Sequence, residues 1–430
     1  MGPKRWLMLV SGLLDTADGY LSESDRPRIA ASEALNLIRD SVKLGTEAYD
    51  CLAFIRGAST DEIPYPIAPP LKRWFDNLQL PNSTFFRAEL VANYELRPIP
   101  EQYFLGIRNP SASLTAAIKQ VTWPFLRVTV PSGAFAIIPH LAIVAHEIGH
   151  ALYTKISWDL TAFSAEGDAV KRRIMARLGV TSLDLSTQKF MSNLFSRWFQ
   201  EFSADAFALY LTGPAIFFSL SELMQFRGGS YTLSDTHPAS DLRLSALYER
   251  LNDGGEQSFS KLFKKHTAQE LTQDFNSHLL QLTPNADKIF ADAVAKKITN
   301  EHAAVLAEVH TSMPKAVQLV YDHVYAYLQA NAADAIYTPD QYDKDLTDHL
   351  EPMLAAVPPI ESGSDLRRKT STEFATILNV GWAVLLTKLP DLRVKTSGAD
   401  QFHCERLERL HGLLLKAVEL SEAKRTWQSA

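Results

Sequence analysis

Two histidines and a glutamate stand at a spacing that suits a metal site. His146, Glu147 and His150 form the pattern His-Glu-x-x-His within the stretch AHEIGHALY. Residues four positions apart lie on one face of a helix, so both imidazole rings can reach the same ion. Zinc is the usual metal of this pattern, and the glutamate is expected to take a proton from a zinc-bound water. The alternative is a helix that carries two structural histidines by chance.

The residues around this pattern favour the metal site. The neighbouring positions are almost all apolar, which predicts a buried helix: Leu141, Ile143, Val144, Ile148, Ala151 and Leu152. Burying two histidines and a glutamate costs free energy unless they are paired or bound to something. Pro139 suits the first turn of such a helix. Gly149 is unfavourable inside a helix, and therefore predicts a close contact with a neighbouring backbone.

A catalytic zinc ion usually needs a third protein ligand. The best candidate is Glu201, in the segment SRWFQEFSADAFALYLTG, whose apolar residues recur at helical spacing. Asp205 shares a side of this helix and is placed to accept a hydrogen bond from the second ring nitrogen of a ligand histidine. The small residues Ala204 and Ala208 would let this helix approach the first. The two acidic residues could instead belong to a solvated helix face.

A histidine in a later loop is a candidate for direct contact with the reacting groups. His237 ends a segment rich in Gly, Ser and Thr, and residues 227–238 are expected to control access to the metal. In a closed state His237 would occupy the open metal position, and in an open state it would contact the oxyanion. It could also belong to a simple turn before a helix that begins near Ser240. Arg243 is expected to orient a carboxylate, with Asp205 as one possibility.

Three short motifs resemble those of one protease family. In order along the chain, AHEIGH, EFSAD and THPASDLR resemble the gluzincin zinc metalloproteases of the HtpX-like and CAAX prenyl protease group. The resemblance covers residues 146–243, roughly a quarter of the chain. It implies a zinc endopeptidase with His146, His150 and Glu201 as metal ligands and Glu147 as the base. It also implies that His237 lies close to the metal. Members with membrane spans surround this core with apolar helices, so this chain is predicted to be a soluble relative.

Composition excludes several other classes of function. The chain has 430 residues, a net charge of −6 and a pI near 6.1, which argue against a nucleic-acid-binding protein. No glycine-rich phosphate-binding motif is present. No apolar run is suited to a transmembrane segment, and the apolar start of the chain is followed at once by Asp15 and Asp18. Cys51 and Cys404 are too few for a disulfide framework, so a cytoplasmic location is predicted.

The pattern of apolar residues predicts a mainly α fold with a small β-sheet, of the α+β class. We predict a mostly helical N-terminal region over residues 1–124, a zincin-like gluzincin core over 125–254, and a helical C-terminal region over 255–430. Within them, residues 27–96 are expected to be mainly helical. Strands are predicted for FLRVTV and AFAII, and helices for residues 187–211, 214–226 and 240–252.

The combined pattern predicts zinc-dependent hydrolysis of peptide bonds, with a protein or peptide as substrate. Two alternatives remain open. One is a zinc hydrolase that acts on another bond, because the same chemistry serves other substrates. The other is a catalytically silent zinc-fold protein that binds partners, although a silent site would not need Glu147. The C-terminal helical region would be the place for a regulatory protein partner.

Overall fold

The computed structural model is mainly helical, with one small sheet and one short strand pair. It describes residues 3–25, 29–57, 65–80, 84–89, 94–99, 101, 104, 106–120, 125–131, 137–158, 160–226, 234–253, 258–259, 265, 285–362, 370–393 and 402–428. The predicted α+β class with few strands is therefore confirmed at this level. Over these ranges, no helix has both the length and the apolar composition needed to cross a bilayer.

The chain forms two compact units, Met1–Phe135 and Ala136–Ala430. The helices of the first unit are α1 (Pro3–Ser24), α2 (Ala31–Gly57), α3 (Ala68–Asn77) and α4 (Ala112–Ile118). Those of the second are α5 (Ala142–Tyr153), α6 (Leu160–Leu178), α7 (Leu185–Thr212), α8 (Ala215–Phe226), α9 (Ser240–Asp253), α10 (Ala286–Ala295), α11 (Asn300–Asn331), α12 (Pro339–Leu354), α13 (Phe374–Ala383) and α14 (Phe402–Gln428). The predicted division at residues 124/125 and 254/255 stays a prediction.

A helical hairpin organises the first unit. Helices α1 and α2 pack side by side, and the Ser41 hydroxyl of α2 donates a hydrogen bond to the Ala17 carbonyl of α1 at 2.9 Å. Helix α4 crosses close to α1, because a Cβ added at Gly12 would lie 2.5 Å from the Leu114 Cα. Ser111 caps α4 by accepting a hydrogen bond from the Leu114 amide. These contacts enclose an apolar core between the three helices.

The sheet of the first unit has three strands: β1 (Thr84–Glu89), β2 (Glu95–Ile99) and β3 (Phe125–Pro131). Their order in the sheet is β1-β3-β2. Strand β3 pairs in parallel with β1 and antiparallel with β2. The predicted strand FLRVTV is confirmed. The described residues of 27–96 are mainly helical, as predicted. Strand β1 and the first part of β2 were not predicted, because these strands are stabilised by pairing with a distant segment. Of AFAII, residues 134–136 lie outside the described ranges and Ile138 begins a 3₁₀ turn.

Helix α7 is the central element of the second unit. Asp184 caps it by accepting a hydrogen bond from the Thr187 amide, and it ends at Gly213, whose φ of 60° favours glycine. Helices α5 and α11 both pack against it. The helices predicted near 187–211, 214–226 and 240–252 are confirmed within two residues at each end. A short antiparallel pair, Glu361–Ser362 with Thr370–Ser371, was not predicted.

Helices from the C-terminal part of the chain support the start of α5. A 3₁₀ turn, Ile138–Leu141, leads into α5 and contains Pro139. The Trp382 indole of α13 donates hydrogen bonds to the Pro139 carbonyl at 3.3 Å and to the Ser219 hydroxyl at 3.0 Å. A Cβ added at Gly381 would lie 2.8 Å from the Pro139 ring. Residues far apart in the chain therefore hold this turn in one compact unit.

Candidate metal centre

Helix α5 presents the two histidines of the His-Glu-x-x-His pattern on one side. The Nε2 atoms of His146 and His150 lie 3.2 Å apart. His146 is buried, whereas Glu147 and His150 are half-buried. One ligand atom from each of these three residues lies within 4.8 Å of the others. The helix therefore brings its histidines together as the four-residue spacing predicts, and exposes the site on the side of Glu147 and His150.

Helix α7 brings Glu201 to the same place. Its Oε2 lies 3.6 Å from the His146 Nε2, and its Oε1 lies 3.6 Å from the His150 Nε2. The approach depends on two small residues, because a Cβ added at Gly149 would lie 2.5 Å from the Cα of Ala204. The predicted backbone contact at Gly149 is confirmed, with Ala204 as the residue that allows it.

The spacing of these three side chains is compatible with one shared metal ion. Ligand bonds of about 2.0–2.2 Å at a tetrahedral centre separate neighbouring ligand atoms by about 3.3–3.6 Å. The two Nε2 atoms lie 3.2 Å apart, close to this value, and each of them lies 3.6 Å from a different oxygen of the Glu201 carboxylate. Two imidazole nitrogens and one carboxylate form a donor set of a catalytic zinc site. Glu147 is a second carboxylate within reach of the histidines, so the donor set alone leaves two candidates for the third ligand.

Asp205 and Arg243 support the ligand side chains from behind. The His146 Nδ1 donates a hydrogen bond to the Asp205 Oδ1 at 2.9 Å, which puts the ring lone pair on Nε2, the nitrogen that faces His150 and lies 3.5 Å from the Arg243 Nη2. Arg243 of α9 binds both Asp205 oxygens, at 2.6 and 2.8 Å, and its Nη1 lies 3.1 Å from the Glu201 Oε2. The contacts expected of Asp205 and Arg243 are therefore present, and all three charged side chains are buried.

Their charges keep the site suited to a cation. Burial lowers the pKa of His146, but the hydrogen bond and charge of Asp205 outweigh it, so this pKa lies above its usual value. Burial and the adjacent His146 lower the pKa of His150 to about 4. Burial alone would raise the pKa of Glu201 and of Asp205, but Arg243 holds both below their usual values. Two carboxylates against one guanidinium leave one net negative charge beside the histidines when both rings are neutral, the form in which they can bind a metal.

His237 lies at the open side of the site. Its Nε2 is 3.5 Å from the Glu201 Oε1, its Nδ1 is 2.9 Å from the Thr236 hydroxyl, and its side chain is 61% exposed. The structure therefore places His237 beside Glu201, while its contact with a metal stays a prediction. The predicted access loop spans residues 227–238, of which 227–233 lie outside the described ranges.

Two supporting residues were missed by the sequence reasoning. Arg197 of α7 binds the Asp235 carboxylate at 3.0 Å and so ties the segment before His237 to the helix that carries Glu201. Tyr321 of α11 is fully buried, and burial together with the nearby charge of Asp205 raises its pKa well above the usual value. Its hydroxyl has no hydrogen-bond partner among the described residues. Neither residue belongs to a motif that could have indicated it.

Asp205→Asn is expected to weaken zinc binding by about 10- to 100-fold, the range for loss of a hydrogen-bond partner behind a ligand histidine. The amide carries no negative charge to stabilise the His146 imidazole on a cation. Competition with a chromophoric chelator measures the change. Asp287→Asn is the matched control, because Asp287 is an exposed partner of Arg177. An equal loss of affinity in both variants would show that Asp205 acts only through stability.

Comparison with known proteins identifies no relative. No family model, no curated protein and no solved structure matches the chain. The resemblance of its three motifs to the gluzincin proteases therefore rests on the motifs themselves.

Proposed function

We propose that the chain is a zinc-dependent endopeptidase with a zincin-like core. The observation that carries the proposal is the triangle of side chains formed by His146, His150 and Glu201: the two Nε2 atoms lie 3.2 Å apart, and each lies 3.6 Å from a different oxygen of the Glu201 carboxylate. A second carboxylate, Glu147, adjoins this triangle. A purely structural zinc site has four protein ligands and does not need an additional base.

Glu201 is the better candidate for the third ligand, and Glu147 for the base. Residue i+1 of a helix points about 100° away from residue i, so Glu147 flanks the direction in which the histidines converge. Glu201 approaches from the opposite helix, and one of its oxygens is held by Arg243 at 3.1 Å. Glu147 is the less buried of the two carboxylates, which suits a group that must contact water and substrate.

The chain's residues supply the remaining chemistry. When bound, zinc acts as a Lewis acid towards the scissile carbonyl. Glu147 takes a proton from the attacking water and passes it to the departing amine. His237 donates a hydrogen bond to the oxygen that becomes negatively charged. Asp205 keeps the His146 ring in the orientation that presents its Nε2.

Glu201→Gln tests the assignment of the third ligand. Loss of a carboxylate ligand is expected to lower zinc affinity by more than about 100-fold, the upper end for loss of a supporting residue. Glu147→Gln serves as the matched variant and is expected to keep one zinc per chain, as measured by metal analysis after dialysis. The reverse outcome, with zinc kept in Glu201→Gln and lost in Glu147→Gln, would contradict the assignment.

His237→Ala is expected to lower hydrolysis by about 100- to 1,000-fold, the usual effect of removing one donor to the oxyanion. Zinc should stay bound, because His237 is not one of the three ligands. Steady-state cleavage of a fluorogenic peptide, with metal content determined in parallel, measures both quantities. A higher basal rate in the variant would instead show that His237 blocks the metal position in the resting protein.

The substrate class and compartment follow as part of the same proposal. The substrate is a protein or peptide, and the half-exposed side of the site, where Glu147 and His150 lie, is where it would bind. Two cysteines in 430 residues are compatible with a reducing compartment such as the cytoplasm.

A further inference from the structure

Helix α1 exposes a row of leucines. Leu7, Leu14 and Leu21 recur every seven residues and are between 44% and 50% exposed. A seven-residue repeat keeps one face of a helix apolar along its length. The buried face of α1 is formed by other residues, including Leu9 and Leu13, so this row is an additional apolar surface.

Helix α2 exposes a matching row. Leu35, Ile38, Val42 and Tyr49 are 41% to 72% exposed and follow the three- and four-residue spacing of a coiled-coil seam. Gly45 occupies the remaining position of the repeat, and a Cβ added there would meet nothing within 4 Å. The buried face of α2 again uses different residues, such as Leu37 and Leu44.

The two rows lie level with each other. The hydrogen bond from Ser41 to Ala17 marks level positions on the antiparallel helices. Counting residues along both helices from Ala17 and Ser41 shows which exposed side chains lie at the same height, to within about two residues. These are Leu7 with Tyr49, Leu14 with Val42, and Leu21 with Leu35 and Ile38. Successive pairs are about 10.5 Å apart along the helices.

Both rows also face the same way. Helix α4 contacts α1 at Gly12 and Thr16. At about 100° per residue, the leucine row points roughly away from these two positions. On α2 the row is rotated by about 85° around the helix axis from Ser41, which faces α1. Because the two right-handed helices are antiparallel, this rotation turns the row of α2 to the same side of the hairpin as the leucine row of α1. We name the surface formed by the three leucines of α1 and the four exposed apolar residues of α2 the hairpin face. A contiguous exposed apolar surface is typical of an interaction site.

The charges beside the hairpin face favour a second copy of the same chain. Asp18 borders the leucine row on α1, and Arg39 borders the row on α2 at the same level to within about one residue. Both side chains are exposed, and neither forms an ion pair with a described residue; Arg39 donates one hydrogen bond to the Asn36 side chain at 3.0 Å. If the two-fold axis of a dimer is parallel to the helices, α1 of each copy packs against α2 of the other. Asp18 of each copy then lies next to Arg39 of the other, which gives two ion pairs. If the two-fold axis is instead perpendicular to the helices, α1 packs against α1 of the other copy. The edges that carry Asp18 then lie side by side, and their like charges repel.

We infer that the hairpin face is a homodimer interface. Two hairpins then form a four-helix bundle in which the rows of both copies interdigitate, with two Asp18–Arg39 ion pairs at the edges. This inference does not depend on the metal centre or on the proposed activity.

Sedimentation of the full chain between about 1 and 100 µM tests the inference, because a dimer with a dissociation constant of about 1 µM or less is mainly assembled over this range. The wild-type chain is expected to be a dimer, and the double variant Leu14→Glu with Val42→Glu a folded monomer. Both positions are exposed, so the variant keeps its core. Leu185→Glu is the matched control, at an exposed leucine of α7, and should stay dimeric. A wild-type monomer throughout the range, whatever other protein it binds, would overturn the inference, as would a double variant that stays dimeric.

A charge exchange tests the arrangement. Asp18→Arg replaces both Asp18–Arg39 ion pairs of the dimer with pairs of arginines. Because like charges repel, this variant is expected to raise the dimer dissociation constant at least about tenfold. Adding Arg39→Asp restores opposite charges, so the double variant should return to within about threefold of wild type. A double variant as weak as the sum of the two single variants would exclude the pairing of α1 with α2.

Discussion

Glu147→Gln is expected to lower peptide hydrolysis by about 100- to 10,000-fold, the usual contribution of a general acid–base. Glutamine has nearly the same shape as glutamate but cannot take a proton from water. The metal should stay bound, because His146, His150 and Glu201 supply the ligands. Turnover of a fluorogenic peptide and zinc content on the same sample separate these two effects.

A matched glutamate controls for the loss of charge. Glu222→Gln changes a half-buried glutamate of α8 that contacts His140 at 2.9 Å, away from the three proposed ligands. It should keep both zinc and activity. If Glu147→Gln instead released zinc to the same extent as Glu201→Gln, Glu147 would be a ligand and the roles of the two carboxylates would be exchanged.

His146→Ala is expected to abolish zinc binding together with the stabilisation that zinc provides. A ligand present at about 100 times its dissociation constant stabilises the folded state by about 2.7 kcal/mol. Thermal unfolding of the wild-type chain should therefore shift to higher temperature when zinc is added. The variant should show no such shift, because its site offers only one histidine and one carboxylate ligand.

His140→Ala provides the control for this experiment. His140 lies just before α5 and is bound to Glu222 rather than to the ligand set. Its variant should lose some stability and still respond to zinc. Stoichiometric zinc in a variant with both His146 and His150 replaced by alanine would place the metal elsewhere in the chain.

Local sequence patterns were sufficient to predict which side chains meet at the candidate metal centre. Two histidines four positions apart in an apolar helix must converge, and a glutamate on a second apolar helix is a natural partner for them. The close contact between α5 and α7 could also be predicted. Glycine destabilises a helix interior, so Gly149 indicates a position where another backbone comes too close for a side chain. Ala204 is that neighbour.

Contacts between distant segments could not be read in the same way. Trp382 donates a hydrogen bond to the Pro139 carbonyl, 243 positions away in the chain. Tyr321 lies close to Asp205, on a helix whose apolar spacing resembles that of any buried helix. Strands β1 and β2 were missed for a related reason, since each depends on pairing with β3. Periodicity indicates that a face is buried but not which element covers it.

The chemistry of the proposed ligands does not specify which bond the proposed enzyme would cleave. The same zinc ligands and base serve peptide and non-peptide substrates. A silent zinc protein would retain the metal and show no turnover. The nature of the reaction therefore has to be measured on a protein substrate.

The most direct measurement is the appearance of new amino termini in unfolded casein incubated with the zinc-loaded chain, followed by mass spectrometry. We expect cleavage by the wild-type chain, no cleavage after removal of zinc with a chelator, and recovery when zinc is restored. Glu147→Gln should remain inactive with zinc bound. A wild-type chain that holds one zinc and yields no new termini, or cleavage that persists both in chelator and in Glu147→Gln, would contradict a zinc endopeptidase.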